Sequence, residues 1–463
     1  MRTPTPEQVP AHIRAVMREL ETAGHEAWLV GGAVRDLCWD KPAKDFDVAS
    51  SATPDDMRRV FGKRAIPTGE KHGTMTILVE KNRRDREGVE VTTFRGEGTY
   101  TDGRRPDSIV FVRSIEEDLA RRDFTMNAIA YDPTRNELRD PFDGRADMEQ
   151  RLVRAVGDAV ERFSEDGLRA LRAVRFAAQH DLVLDPSTMA AIPATVAVFR
   201  KVSGERVRDE LLKILLSSVP SVGLRLLAET GLLHEILPEL EEGIGFQQNR
   251  HHSHDVWEHT LATVDAARVL AEDETPWLVR MAALLHDVAK PRTAAPKDGA
   301  PGENTFYKHD LVGAKMTSAI AERLKLSNKE RDRLSGLVLN HMFWYTPEWS
   351  DGTVRRFINR VGASELPPLF ALREADVRGR GKDESPDREL GPLKVRIDEE
   401  MKKASALKVG DLALRGPDVL RILACPPGPI IGEVLRRLLE RVLDDPSLNT
   451  PEALAALVPQ LAQ

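Results

Sequence analysis

The chain is predicted to be an α+β protein, an N-terminal sheet domain followed by an almost wholly helical remainder, and three observations predict it. Short β-like runs at 27–30, 45–49, 74–80, 89–94 and 109–112 alternate with helical stretches. Beyond about residue 150 the apolar residues recur at helical spacing, as in Leu168, Leu171, Val174 and Phe176 and again in Leu211, Leu212, Leu215 and Leu216. At 463 residues the chain exceeds one ordinary core, while 5% aromatic and 30% charged residues suit a soluble, mainly helical protein with many solvated faces.

Four segments follow: a head over 1–150, a helical neck over 151–245, a histidine-bearing helical block over 246–385 and a helical tail over 386–463. Within the head, 95–107 reads as a flexible loop because Gly96, Gly98, Gly103 and Pro106 interrupt any period. Seven of the twelve histidines fall between 251 and 341, so the third segment has its own chemistry. No internal repeat or low-complexity tract is present. No apolar run is long enough to span a bilayer, and the N-terminus has no apolar signal region. Cys38 and Cys425 match no zinc or redox spacing, so reduced thiols in a cytoplasm are expected. The net charge of −7 advertises no nucleic-acid binder, although local Lys/Arg patches are all that an RNA footprint needs.

The head carries Gly31-Gly32-Ala33-Val34-Arg35-Asp36 and then Asp45-Phe46-Asp47. Alternate residues of a strand share a side, so Asp45 and Asp47 can hold divalent ions together beside a triphosphate. Oxygen ligands suit Mg²⁺, which keeps phosphate oxygens and waters in its shell. Gly31 and Gly32 let backbone N–H groups approach phosphate, Arg35 adds a charged contact, and Glu90 could supply a third carboxylate from a neighbouring strand. Either motif alone would equally be a tight turn or a solvated strand end.

Taken together, residues 29–47 resemble the first motif of the DNA polymerase β superfamily as found in class II CCA-adding enzymes and bacterial poly(A) polymerases. Four further stretches are similar to that family's later motifs: Arg121-Arg122-Asp123-Phe124-Thr125-Met126-Asn127-Ala128, Asp140-Pro141-Phe142-Asp143-Gly144, Glu165-Asp166-Gly167-Leu168-Arg169-Ala170-Leu171-Arg172 and Glu205-Arg206-Val207-Arg208-Asp209-Glu210-Leu211. The resemblance covers about residues 27–245 and implies ribose and triphosphate contacts from Arg122, Asp123 and Asn127. It also implies base selection by Asp166 and Arg169. Read as residues three apart on one helix face, those two would present an acceptor to the amine shared by cytosine and adenine and a donor to the ring beside it. An ordinary surface ion pair is the alternative. Arg172 and Arg175 continue at the same interval and could meet triphosphate or RNA, or line the core. The loop Thr101-Asp102-Gly103-Arg104-Arg105-Pro106-Asp107 is similar to the element that CCA-adding enzymes need for the switch from C to A.

In the third segment His286-Asp287 sits in an apolar helix, where two adjacent polar groups need a reason to be buried. The order His259, His286-Asp287, Asp376 resembles the HD phosphohydrolase superfamily, which implies a metal held by two histidines and two aspartates. Mixed imidazole and carboxylate ligands suit Mn²⁺, Ni²⁺, Co²⁺ or Zn²⁺ better than Mg²⁺. His309 and His341 fit the extra histidines of two-metal HD domains, or else bind phosphate or pack helices. His251, His252 and His254 read as loop residues. Arg355, Arg356, Arg360, Arg373, Arg378 and Arg380 read as a solvated face rather than an RNA contact.

The leading expectation is therefore an enzyme that adds or repairs the 3′-terminal CCA of tRNA from CTP and ATP by two-metal nucleotidyl transfer, with an HD domain acting as phosphatase or 2′,3′-cyclic phosphodiesterase. The alternatives are a poly(A) polymerase or A-adding enzyme, and an HD phosphohydrolase acting on RNA ends whose N-terminal half only binds RNA.

Overall fold

The computed structural model describes residues 1–82, 85–96, 110–248, 254–298, 303–381, 385–403 and 407–462. The Arg104-Arg105 loop, His251, His252 and Ile109 lie outside these residues; the strand expected at 109–112 is not found over 110–112, where Phe111 makes only an isolated bridge to Arg95. The chain divides into two compact units, Met1–Pro238 and Glu239–Gln463.

The first unit is built on a seven-stranded sheet: β1 (Ala27–Val30), β2 (Asp47–Ser50), β3 (Ala65–Gly69), β4 (Thr74–Asn82), β5 (Asp85–Thr93), β6 (Ala130–Asp132) and β7 (Glu137–Arg139). Their order is β3-β4-β5-β2-β1-β6-β7, and all neighbours are antiparallel except β2 and β5. Trp28 and Val30 of β1 and Ala49 of β2 turn one face into a core closed by Phe94, Ile115, Leu119, Ala128 and Ala130. The Ala11–Thr22 helix buries Ile13, Val16, Met17 and Leu20, an i, i+3, i+4, i+7 stripe that packs on β1 and β4. After residue 150 the unit is helical, with Leu168–His180 and Gly204–Leu215 packed together.

One sequence expectation needs correction here. Asp45 lies before β2 rather than in it, because β1 ends at Val30, opposite Asp47, and offers no backbone partner further upstream. The two aspartates are therefore a loop residue and a strand's first residue.

In the second unit five helices, Val256–Ala266, Leu278–Leu285, His309–Arg323, Asn328–Asn340 and Leu366–Gly379, pack around the histidine cluster. The Leu278–Leu285 helix is buried on every side, as its apolar residues demand, and its one charged residue, Arg280, donates to the Ala267 carbonyl at 3.0 Å. A separate core of Leu412, Val419, Val434, Leu438, Val442, Leu454 and Val458 holds the tail helices. Arg355 and Arg373 are not the solvated residues expected, since Arg355 is buried against Glu400 and Arg373 against Asp376 and Glu389. Among the described residues no helix is long and apolar enough to cross a membrane.

Candidate active site and metal centre

Gly31 leaves β1 at φ +72°, a backbone that a side chain rarely adopts, and a Cβ there would stand 3.1 Å from Arg122 Nη1. Its turn starts the Gly32–Cys38 helix and keeps Asp47, paired across from Val30, at the edge of a cleft of about 560 Å³. Gly31, Gly32, Arg35, Asp47, Arg122, Asp123, Asn127, Arg172 and Arg175 all line it. The parallel register Val48↔Val91 sets Glu90 level with Asp47 on the next strand. Burial raises the Asp47 carboxyl, Arg122 opposes the rise, and the Glu90 and Asp45 carboxylates add to it. Asp45 and Glu90 thus place two further carboxylates near Asp47 at the rim of a cationic cleft, and carboxylate oxygen is the donor type that suits a hard divalent ion.

A relay of polar contacts crosses the cleft. Arg35 Nη1 donates to Asn127 Oδ1 at 3.0 Å, Asn127 Nδ2 donates to Asp123 Oδ1 at 3.1 Å, and Arg172 Nε and Nη2 donate to Asp123 Oδ2 at 2.8 and 2.5 Å. Burial pushes the Asp123 carboxyl up, but Arg172 and these hydrogen bonds bring it down to about 2. Arg175 is pulled down to about 10 by burial, although Glu210 pairs with it at 2.5 Å, and it lies 3.8 Å from the Phe176 ring centroid. Buried Asp118 receives Arg121 at 2.7 Å and Arg122 at 3.2 Å, which aims Arg122 at the cleft.

A smaller hollow of about 300 Å³ shares Arg122, Asp123 and Arg172 with the cleft and is also lined by Asp166, Arg169 and Arg206. The helix-face geometry expected for Asp166 and Arg169 is not found. Asp166 precedes Gly167, the cap of the Leu168–His180 helix, because its side chain bonds the Leu168 backbone N–H at 3.1 Å and so forms a turn. The two side chains do not pair: Arg206 donates to Asp166 at 2.6 Å, while Arg169 donates to Glu165 at 2.5 Å and to the Arg121 carbonyl at 3.0 Å. Sequence reasoning missed Asp118, Arg206 and His180. Arg206 was inside a quoted motif, but one arginine in a charged helix carries no distinguishing signal. Another hollow, about 710 Å³ beside Arg18, His25 and Arg59, holds none of this chemistry.

The second unit gathers the four expected ligands together with His309 and His341. His259, His286 and Asp376 form one group and Asp287, His309 and His341 another. Asp287 joins them, Oδ2 lying 3.1 Å from His286 Nε2 and Oδ1 lying 3.5 Å from His309 Nε2. His259 Nε2 is 3.2 Å from Asp376 Oδ1. Each imidazole turns Nδ1 to a backbone carbonyl, of Gly379, Ala283, Phe306 and Val338 in turn, at 2.6 to 3.0 Å. That leaves the Nε2 atoms converging, 3.2 Å apart for His259 and His286 and 3.3 Å apart for His309 and His341. With each Nδ1 turned to a carbonyl, the Nε2 atoms and the carboxylates converge as a donor set that fits divalent ions, which would displace any proton on Nε2. Burial favours the neutral form of His259, but hydrogen bonds to Asp287 and Asp376 raise it to about 9, whereas burial lowers His341 to about 3. Gly379 permits the approach: a Cβ there would meet Thr263 Oγ1 at 2.2 Å.

A polymerase β-like head followed by an HD-type centre defines a nucleotidyltransferase with an appended metal-binding helical domain. Family profiles match in that order: the poly A polymerase head domain over 27–154, the family described as probable RNA and SrmB-binding site of polymerase A over 181–244, and the HD domain over 256–390. The CCA-adding enzyme of Pediococcus pentosaceus is 34% identical over 449 residues, 97% of each chain. That of Levilactobacillus brevis is 49% identical over 219 residues, 47% of this chain and about half (53%) of its own length. The crystal structure of the Bacillus stearothermophilus CCA-adding enzyme in complex with CTP superposes with TM-score 0.72 at 29% identity, covering 99% of this chain and 98% of that one. The chain belongs to the CCA-adding enzyme family, whose members are nucleotidyltransferases.

Proposed function

We propose that this chain adds or repairs the 3′-terminal CCA of tRNA, using CTP and ATP, and that its HD centre hydrolyses phosphate esters at RNA ends. The observation that carries the first reading is the joining of the Asp47 cleft to the Asp166/Arg169 hollow through Arg122, Asp123 and Arg172. A nucleotide with its phosphates at Gly31, Gly32, Arg122 and Arg175 would extend its base toward Asp166 and Arg169. Asp123 and Asn127, fixed by Arg172 and Arg35, are placed between them to take the ribose.

Asp45 and Asp47, with Glu90 beside them, would hold Mg²⁺. That ion would lower the pKa of the RNA 3′-hydroxyl and neutralise charge on the triphosphate. The protein's own contribution is positional: the glycine corner admits the phosphates, and Arg122, steadied by Asp118, faces the charge that develops as pyrophosphate leaves. Free thiols at Cys38 and Cys425 fit a reducing cytoplasm.

At the HD centre, His259, His286, Asp287, Asp376, His309 and His341 would hold Mn²⁺, Ni²⁺, Co²⁺ or Zn²⁺. Such ions acidify water and polarise a phosphate ester, giving phosphatase or 2′,3′-cyclic phosphodiesterase chemistry. The carbonyls on each Nδ1 fix the tautomers; burial would raise the Asp376 carboxyl, but the His259 hydrogen bond, His286 and Arg373, 2.6 Å from its Oδ2, hold it well below the usual carboxylate range.

Incubating the enzyme with tRNA lacking its CCA and one labelled nucleotide at a time tests the first reading. CTP should be used first and ATP only after two C additions. Incorporation of ATP alone onto unrelated RNA would instead establish an A-adding or poly(A) polymerase, the reading that the poly A family profiles keep in view. Asp47→Ala should abolish incorporation and spare phosphatase activity, and Asp287→Ala should do the reverse.

A further inference from the structure

Beside the HD centre two large aromatic side chains stand in solvent with no role in the packing. Tyr307 is 79% and Trp344 71% exposed, whereas Trp28, Trp257, Trp277 and Tyr131 are buried. Each follows or precedes a ligand of the same metal group: Tyr307 is two residues before His309 and Trp344 three after His341, so their Cα atoms lie within about 8 and 11 Å of those ligands. His309 and His341 face each other at 3.3 Å, so each segment carries one member of the same histidine pair.

The local backbone explains the exposure. The Phe306 carbonyl accepts both the His309 backbone N–H at 3.3 Å and His309 Nδ1 at 2.7 Å. This closes a turn in which Phe306 and His309 point inward and Tyr307 and Lys308 form the tip. Lys308 takes φ +64°, a left-handed conformation costly for lysine and retained here next to a ligand. In the other segment His341 and Phe343 are buried while Met342 and Trp344 alternate outward. Of the six ligands, His309 and Asp376 keep the most side-chain exposure, 8% each, against 2% or less for the rest. The centre thus meets solvent at His309, two residues from Tyr307, and at Asp376.

We propose that Tyr307 and Trp344 form a stacking platform at the mouth of the HD centre, holding the terminal nucleobase of a single-stranded RNA while its phosphate lies at the metal ligands. Exposed aromatic faces with an adjacent lysine suit an unstacked base and its phosphodiester, since every base has a π-face. This rests on reading the centre as a phosphoester hydrolase and adds its substrate class.

The test uses the full chain and a hexaribonucleotide with a terminal 4-thiouridine and a 3′-phosphate. Photocrosslinks mapped by mass spectrometry should fall on Tyr307 or Trp344; adducts found only elsewhere would overturn the proposal. Crosslinking needs no turnover, so an inactive centre would remove the hydrolase reading and leave this one standing. In the Mn²⁺-loaded enzyme, Tyr307→Ala and Trp344→Ala should each raise KM for a nucleoside 2′,3′-cyclic phosphate about tenfold with kcat little changed. Tyr307→Phe and Trp344→Phe should restore it, and glycerol 2-phosphate, which has no base, should be hydrolysed as before. An equal loss on glycerol 2-phosphate, or no rescue by phenylalanine, counts against the platform.

Discussion

Asp123 accepts from Arg172, Asn127 and the Phe124 backbone N–H in a largely buried position, and its consequences are measurable at the scale of one residue. Its folded pKa of about 2 lies below the unfolded value of about 3.9, so its stabilisation is present above pH 3.9 and is lost as pH falls through 2. Asp123→Asn should therefore cost about 2 kcal/mol in denaturant unfolding at pH 6, and the gap from wild type should narrow as pH is lowered to 3. A gap independent of pH would mean that packing rather than charge is lost. The residue types at this site were legible in the sequence: a glycine corner, three carboxylates and a run of arginines admit few uses together. Their partners were not legible, because Asp118 and Arg206 look like any charge on a helix until the fold brings Arg122 and Asp166 to them.

Among the elements, the long periodic helices and β1, β2, β4 and β5 could be read from pattern. Three strands of the seven-stranded sheet could not. β3 is Ala65-Ile66-Pro67-Thr68-Gly69, mostly exposed at the sheet edge, and its proline and glycine imitate a turn. β6 and β7 have three residues each, too few for an alternation to show. Asp166 went astray for a related reason, since helical spacing continues through a turn that its own side chain closes. The Val256–Ala266 and Leu366–Gly379 helices make a sharper test, for their approach at Gly379 brings a backbone carbonyl to His259. Gly379→Val should force them apart at Thr263, so that metal bound per chain, measured by elemental analysis, falls well below the wild-type value while CTP incorporation persists.

The molecule as a whole comprises two compact units with different donor sets, carboxylate oxygen in one and imidazole with carboxylate in the other. Calorimetry should separate them. CTP with Mg²⁺ should raise the transition of Met1–Pro238, and Mn²⁺ without nucleotide that of Glu239–Gln463, each by about 3 kcal/mol at a hundredfold excess over Kd. A single transition moved equally by both ligands would contradict two separate centres. The sequence by itself determined the class of chemistry, because motif order and residue type are local properties of the chain: a head with its glycine corner and aspartates, then histidines spaced for metal. Only the tertiary structure decided which atoms meet. It set Glu90 level with Asp47 through a parallel strand pair, moved Asp45 out of the strand, replaced an expected Asp166–Arg169 face with an Asp166–Arg206 pair, and made Asp287 common to two histidine groups. Those are encounters between residues far apart in sequence, and they depend on register and helix packing, which no local pattern encodes.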